Sequence, residues 1–247
     1  MRYLEVAEAL REEIQTGRRR PGGLIDSEAT LAGRYGVSRD TVRRALEHLR
    51  QDGLVASRQG FGWYVAADPV RQALGRLTTI EATLAEAGMQ PSRRVLEFGP
   101  GVAPPELKGE RVVRVRRLNL ADDEPFGLVT VWVPSRLAQG ITAEQAEART
   151  FYELLGDRGV VLGRAQQTIT ATLANAEDAQ LLAVPSGSPL LVCRRATHDA
   201  DNQVVLVSEH RYPAHRTEFC VDVARADPAT ALAPPGVRLV HSGGSHD

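Results

Sequence analysis

Apolar positions recur at helical spacing three times in the first 52 residues. Leu4, Ala7, Leu10 and Ile14 fall at three- and four-residue steps and predict one amphipathic helix, closed by Gly17 and followed by a turn at residues 18–23, RRRPGG. Ser27 predicts an N-cap for a second helix over residues 27–35, with Glu28 at its positive end and Leu31 and Tyr35 facing inward. Gly36 breaks the chain, Val37 plugs inward, and Ser38 caps a third helix running to about residue 52. Its inner face is Val42, Ala45, Leu46 and Leu49, and Gly53 ends it. Two extended runs follow, at 54–58 and 63–67, joined by Gln59, Gly60, Phe61 and Gly62 as a glycine-bearing hairpin tip. Three helices and a hairpin, with the tight YGVS turn before the third helix, predict a winged helix-turn-helix over residues 1–67.

The pattern then changes. Residues 68–77 show no sustained periodicity and carry Pro69, which marks a linker. A short helix is expected at 78–88, with Thr79 near its start. Strand-like runs follow at 111–120, 126–134, 165–174, 190–198, 204–212 and 217–224, interrupted by helical stretches at 151–158 and 175–183. Short connections such as residues 199–203 predict one mainly antiparallel sheet with helices against it, an α+β domain over 78–232. Residues 233–247, rich in Pro, Gly and Ser, are expected to be a flexible tail.

Composition narrows the function classes. The chain has 247 residues, 43% hydrophobic and 25% charged, as in ordinary globular proteins. No run approaches 18 apolar residues, so no membrane span is expected. The first helix carries four glutamates and no apolar signal core, so it does not read as an export signal, and a cytoplasmic location is expected. The two cysteines, Cys193 and Cys220, lack metal-type spacing, and neither a disulfide framework nor a bound metal is expected. Residues 1–66 hold 11 Arg against 9 acidic residues, while the remainder is slightly acidic. That balance is weak evidence for nucleic acid, so the placement of the arginines must carry the case.

The placement does so. A recognition helix presents its N-terminal residues to base edges in the major groove. Those positions are Ser38, Arg39, Asp40, Thr41 and Arg43, with Arg44 beside them. Arg39 and Arg43 lie one turn apart on one helix face. Arg58, Gln59 and Gly60 would place the wing at the minor groove or backbone. A solvated basic face on a structural helical hairpin is the alternative.

Residues 3–66 resemble the DNA-binding domain of the GntR superfamily of bacterial transcription regulators. The matching segments are VAEALREEIQTG, SEATLAGRYGVSRDTVRRALEHLRQDGLV and RQGFGWYV. Three departures stand out: Ile25-Asp26 replaces the usual Leu-Pro, Ala29 replaces an Arg that contacts DNA, and the wing ends Gly62-Trp63-Tyr64-Val65. From about residue 78 to 224 the chain is similar to the UTRA domain of HutC-type members. The segments RLNLADDEPFGL, TFYELL, NAEDAQLLAVPSGSPLLVCRRATHDADNQVV and RTEF carry that likeness. The resemblance implies a chorismate-lyase-like fold, an effector pocket, a homodimer, a near-palindromic double-stranded DNA operator and, most often, repression relieved by a small molecule.

Strand parity adds a point of its own. Val113, Val115 and Arg117 share one face of the run at 112–118, so if the valines face the core, Arg117 points inward with them. A buried guanidinium needs a partner, either a carboxylate such as Glu209 or an anionic ligand. The resemblance places an effector-contacting Arg at 117 and implies Thr79, Thr150, Tyr152 and Tyr212 as further contacts. Asn119 stands where sensors of phosphorylated amino sugars carry a second Arg, so a less polar pocket is expected. Thr150 also reads as a helix cap, and Tyr152 as a core residue.

No nucleophile elbow, phosphate loop or His-Glu-x-x-His motif is present, so no catalytic residue and no cofactor are expected. His198 and His210 are placed to approach each other across a hairpin. Two other classes remain: a constitutive dimeric DNA binder without effector, and an enzyme fused to a DNA-binding module.

Overall fold

The computed structural model describes residues 2–58, 62–67, 69–74 and 77–221. The first domain comprises α1 (Arg2–Gln15), α2 (Glu28–Tyr35), α3 (Arg39–Gln51), β1 (Val55–Arg58) and β2 (Gly62–Val65). Ser27 and Ser38 cap α2 and α3, accepting from Thr30 N and Thr41 N, both at 3.1 Å. Gly36 takes the left-handed φ of 62° that lets the chain turn sharply between these helices. Leu10, Leu31, Val42, Leu46 and Leu49 fill one core with Val55 and Val65 from the antiparallel hairpin. Each such leucine contributes about 2 kcal/mol by burial. Leu4 differs from the sequence expectation and is exposed, because the buried stripe of α1 runs through Val6, Ala7 and Leu10.

The second domain is built on six strands in the order β4–β5–β6–β9–β8–β7, every neighbouring pair antiparallel. These are β4 (Pro91–Gly101), β5 (Val112–Ala121), β6 (Glu124–Pro134), β7 (Leu162–Leu173), β8 (Pro189–Asp199) and β9 (Val204–Pro213). The hairpin between β5 and β6 turns on Asp122 and Asp123, both with positive φ, as a two-residue hairpin of primed type requires. β4 and the short helix α5 (Ala143–Ala148) were not legible in the sequence, because β4 mixes proline, glycine and charge without alternation. Within the expected linker, β3 (Val70–Ala73) pairs in parallel with β10 (Thr217–Cys220) as a separate two-stranded sheet. The end of the strand expected at 217–224 and the expected tail at 233–247 extend outside the described residues.

Alternation gives the sheet two unlike faces. On one lie Val115, Val129, Val131 and Leu206, covered by α5 and by α6 (Phe151–Gly156). Beside them Cys193 and Tyr212 pack under α4 (Ile80–Glu86). The other face carries Leu118 and Leu128 beneath α7 (Ala176–Leu181), then an ionic network. Buried Asp178 accepts from Arg116 at 3.0 Å and from Arg211 at 2.6 Å. Arg211 and Arg194 converge on Glu209, and Arg194 also binds Glu106.

The domains meet along the β5–β6 hairpin and the segment before β10. Leu24 and Tyr64 of the first domain pack against the cluster containing Leu118, Leu128 and Leu190. Arg216 donates from Nη2 to the Gly22 carbonyl at 2.8 Å and also binds the Pro125 carbonyl. Arg20 returns the contact, bonding the Asp122 carbonyl and lying 3.7 Å from Glu124.

Asp178 joins α7 to two strands through two guanidiniums, and its removal would leave both without their shared buried counter-charge. Asp178→Ala is expected to lower the unfolding free energy by about 3 kcal/mol, read by urea titration; a loss below about 0.5 kcal/mol would mean that the network is incidental.

Candidate functional sites

The front of α3 is open to solvent. Ser38, Arg39, Asp40, Arg43 and Arg44 are exposed and Thr41 is half-buried. The second domain does not cover them. The three arginines differ in what holds them. Arg43 is clamped by Glu28, with Nε at 3.1 Å and Nη2 at 2.9 Å from its two carboxylate oxygens. The Arg43 hydrogen bonds hold that carboxyl below its ordinary pKa, against the opposing effect of burial, and Trp63 Nε1 adds a third donor at 3.4 Å. Arg44 lies with its guanidinium carbon 4.9 Å from the Tyr3 ring centre, turned back toward α1. Arg39, on the face that α3 shares with Arg43, makes no ion pair among the described residues. Gln59, Gly60 and the Arg58 side chain lie outside the described residues.

The second site is a cleft on the α4–α6 face of the large sheet. Thr79, Arg117, Thr150 and Tyr152 all line it. Glu81, Arg195, Ser208 and His210 line it too, and sequence reasoning missed them. Strand parity held the signal: Arg195 alternates with Cys193, and Ser208 and His210 alternate with Leu206 and Tyr212. Three expected residues are not on the lining. Glu209 lies on the opposite face, aligned with Thr130, which is itself aligned with Arg116, so the sheet separates it from Arg117. Asn119 is buried behind the cleft and donates to Glu81 Oε1 at 3.1 Å. Tyr212 is buried beneath His210, its hydroxyl 3.0 Å from Nδ1. His198 sits opposite Val204 and His210 opposite Cys193, so the two histidines lie at different points of the ladder and do not meet.

Arg117 is 5% exposed. Its Nη1 donates to the carbonyls of Ala146 at 3.0 Å and Arg149 at 3.5 Å, and its guanidinium lies 5.5 Å from the Phe151 ring centre. No carboxylate ion-pairs with it among the described residues, and its buried Nε has no hydrogen-bond partner. Glu81, which lines the same cleft, is bound instead by Arg93 at 2.9 Å. Burial pulls the Arg117 pKa down to about 10, with Glu81 opposing the shift and Arg93 adding to it. A cation left in this state loses hydration without gaining a counter-ion.

Arg195, half-buried, connects the cleft to its surroundings. It donates from Nη1 to the Thr78 carbonyl at 3.0 Å and the Tyr152 hydroxyl at 3.3 Å, and from Nε to Gln167 at 2.8 Å. Thr79 and Thr150 already accept from backbone N–H groups as the caps of α4 and α6. The space open to water-sized spheres is only about 40 Å³. A metabolite would therefore have to widen the cleft.

His210 is held neutral. Burial first, then Arg195 and Arg117, push its pKa down to about 3. Ser208 Oγ at 3.0 Å and the Tyr212 hydroxyl occupy its two nitrogens. The Cys193 thiol is likewise pushed up to about 11 by burial, which disfavours the nucleophilic thiolate.

Comparison with known proteins places both sites in a family context. Residues 2–65 match the model of bacterial regulatory proteins of the gntR family, and residues 86–218 match the UTRA domain. The HTH-type transcriptional regulator Rv0792c of Mycobacterium tuberculosis is 32% identical, covering 92% of this chain and 87% of that protein. The histidine utilization repressor of Pseudomonas aeruginosa is 29% identical over 79% of this chain and 80% of its own length. The crystal structure of PhnF from Mycobacterium smegmatis superposes with a TM-score of 0.61 at 25% identity, covering 90% of this chain and all of that one.

Because the folded-state pKa of His210 lies below the unfolded value, its contribution is fully present above about pH 6.5 and is lost as pH falls toward 3. Stability is expected to drop by up to about 1.4 kcal/mol per pH unit in that window. Urea titrations from pH 7 to 4 should show a shallower slope for His210→Asn than for the parent; equal slopes would contradict the buried, neutral imidazole.

Proposed function

The chain belongs to the gntR family of bacterial regulatory proteins with a UTRA effector domain, and on that footing we propose how its two sites work together. It is a ligand-responsive transcription regulator. In the proposed mechanism two copies present their α3 helices to two half-sites of a near-palindromic operator. The half-sites are about 34–36 Å apart, or a multiple of that. DNA as the partner makes it a cytoplasmic protein, and the cleft is a sensor rather than a catalytic centre.

Arg39 is the base-reading residue in this account, because it is exposed and free of an ion pair. Arg43, clamped by Glu28, is the more rigid of the two. It reaches phosphate or base only by exchanging that carboxylate for DNA, which costs part of what it gains. Arg44, drawn over Tyr3, contributes charge near the backbone rather than specificity.

The effector is proposed to be a small anion, and the observation that carries this is Arg117: buried, without a carboxylate among the described residues, and with its buried Nε unbonded. Arg195, Tyr152 and Ser208 supply further donors around the cleft. The proposed route to DNA runs through the linker. Arg195 holds the Thr78 carbonyl at the end of the linker, β3 within the linker pairs with β10, and Arg216 just before β10 grips Gly22 of the first domain. An anion that widens the cleft and draws Arg195 off Thr78 pulls on this strap and changes the spacing of the two α3 helices. A coupling of about 1–3 kcal/mol is typical of such a link.

Arg39→Ala is expected to cost about 1–3 kcal/mol of specific operator affinity with unchanged thermal unfolding, measured by gel shift on DNA flanking the protein's own gene. Retained specific affinity would remove Arg39 from the reading set. Arg117→Met is expected to change the unliganded unfolding free energy by less than about 1 kcal/mol, because a buried cation without a counter-ion adds little stability. A loss of 3 kcal/mol or more would make Arg117 a structural residue.

A further inference from the structure

The turn between α1 and α2 carries three consecutive arginines, Arg18, Arg19 and Arg20. With Arg34 of α2 they line one side of a cleft of about 550 Å³ between the two domains. Arg216 and Glu124 of the second domain line the other side. Part of this charge is neutralised within the first domain. Buried Glu13 is clamped by Arg19 and Arg34, each at 2.5 Å, and Arg19 also reaches Asp26 at 2.6 Å. Those two cations and two carboxylates cancel. The remaining charged lining is Arg18, Arg20 and Arg216 against Glu124, a surplus of two positive charges in a chain whose net charge is −1. The ion pairs that these three make are weak. Arg18 meets Glu12 at 3.1 Å with both side chains more than half exposed, and Arg20 lies 3.7 Å from Glu124 with both more than 40% exposed. Exposed pairs of this kind are worth about 0–1 kcal/mol and exchange readily. Arg216 has no carboxylate partner among the described residues, and its nitrogens go to the carbonyls of Gly22 and Pro125. Gly22 permits that approach: its φ is 73°, and a Cβ there would stand 3.3 Å from Arg216 Nε.

We propose that this interdomain cleft binds a phosphate monoester, its phosphoryl group held by Arg18 and Arg20 from the first domain and Arg216 from the second. A phosphoryl group carries about −1.5 to −2 charges at pH 7, which matches the surplus. A guanidinium offers it two parallel N–H donors, and an incoming phosphoryl group has only weak, exposed ion pairs to displace. The volume leaves room for an organic part of the size of a sugar or a nucleoside. This site is separate from the cleft at Arg117, since the two share no lining residue. An occupant adds bonds across the domain junction and stabilises the arrangement in which Arg216 grips Gly22. The DNA-binding domain thereby gains a second small-molecule input, independent of the one at Arg117.

Isothermal titration calorimetry on the full chain tests this, with adenosine 5′-monophosphate, glucose 6-phosphate and inorganic phosphate as probes and adenosine as the uncharged control. At least one of the two esters should bind, and adenosine should not. The double variant Arg18→Gln, Arg20→Gln should raise the Kd at least roughly 10-fold. So should Arg18→Glu alone, which reverses a charge at an exposed side chain without breaking any bond between the domains. Far-UV circular dichroism checks that both are folded. Arg117→Met should bind the ester as the parent does. A preference for one ester over the other assigns the organic part to a nucleoside or to a sugar, and equal binding of inorganic phosphate assigns recognition to the phosphoryl group alone; each keeps the site. Binding by neither ester would overturn it. Binding lost in Arg117→Met but kept in the Arg18 and Arg20 variants would also overturn it, moving the ligand to the other cleft. If no ester bound and those variants weakened DNA of every sequence equally, the arginines would be contacts to the DNA backbone instead, and the proposal would fail.

Discussion

The rest of the molecule is organised around a guanidinium taken out of water without a carboxylate in return. Arg117 is carried inward by strand alternation, onto the face that also holds Val115 and Val129. Two backbone carbonyls and an aromatic face satisfy part of it, and its buried Nε is left without a partner. Such a group is costly in a structure with nothing else to do, because burying a charge costs several kcal/mol unless a partner offsets it. The contrast with the other face is instructive. There, Arg116, Arg194 and Arg211 each have carboxylates within 3.1 Å. One chain therefore pairs its arginines with carboxylates on one side of a sheet and, among the described residues, leaves Arg117 and Arg195 without one on the other.

The unpaired cation sits where a change can travel. The cleft around it is narrow, so an occupant must displace side chains to enter. The side chain best placed to respond is Arg195, which touches the linker through Thr78, the α6 layer through Tyr152, and the sheet edge through Gln167. The linker is not a loose tether, since β3 is paired with β10 in register from Val70 to Ala73. Arg216 ties that pair to the turn before α2. Motion at the cleft would, in the proposed account, reach the first domain through these contacts.

The first domain was legible because its rules are local. Serine caps, glycine stops and an i, i+3, i+4 apolar stripe specify each helix within a dozen residues, and Ser27, Ser38 and Gly36 act as their positions imply. Only the phase of α1 slipped, since Leu4 and Val6 compete for the inner face and the packing of α3 decides between them. In the second domain, parity alone turned Arg117 inward. It did not find its surroundings, because which residues face Arg117 depends on pairings between strands about 80 residues apart, as where Val129 aligns with His210. Glu209 was assigned to Arg117 for want of that register; its neighbour across the ladder is Arg194, on the other side of the sheet. Arg195 and His210 were missed for the same reason. β4 hid because an edge strand that is defended against pairing lacks the alternation by which strands are recognised.

The most direct measurement is a thermal-shift survey of the parent and Arg117→Met against matched metabolite pairs, each anion beside its neutral counterpart. Stabilisation of the parent by one or more anions, absent with their neutral partners and absent in the variant, is the predicted result. Stabilisation by neutral compounds alone, or by anions that act equally on Arg117→Met, would contradict the role given to the buried guanidinium.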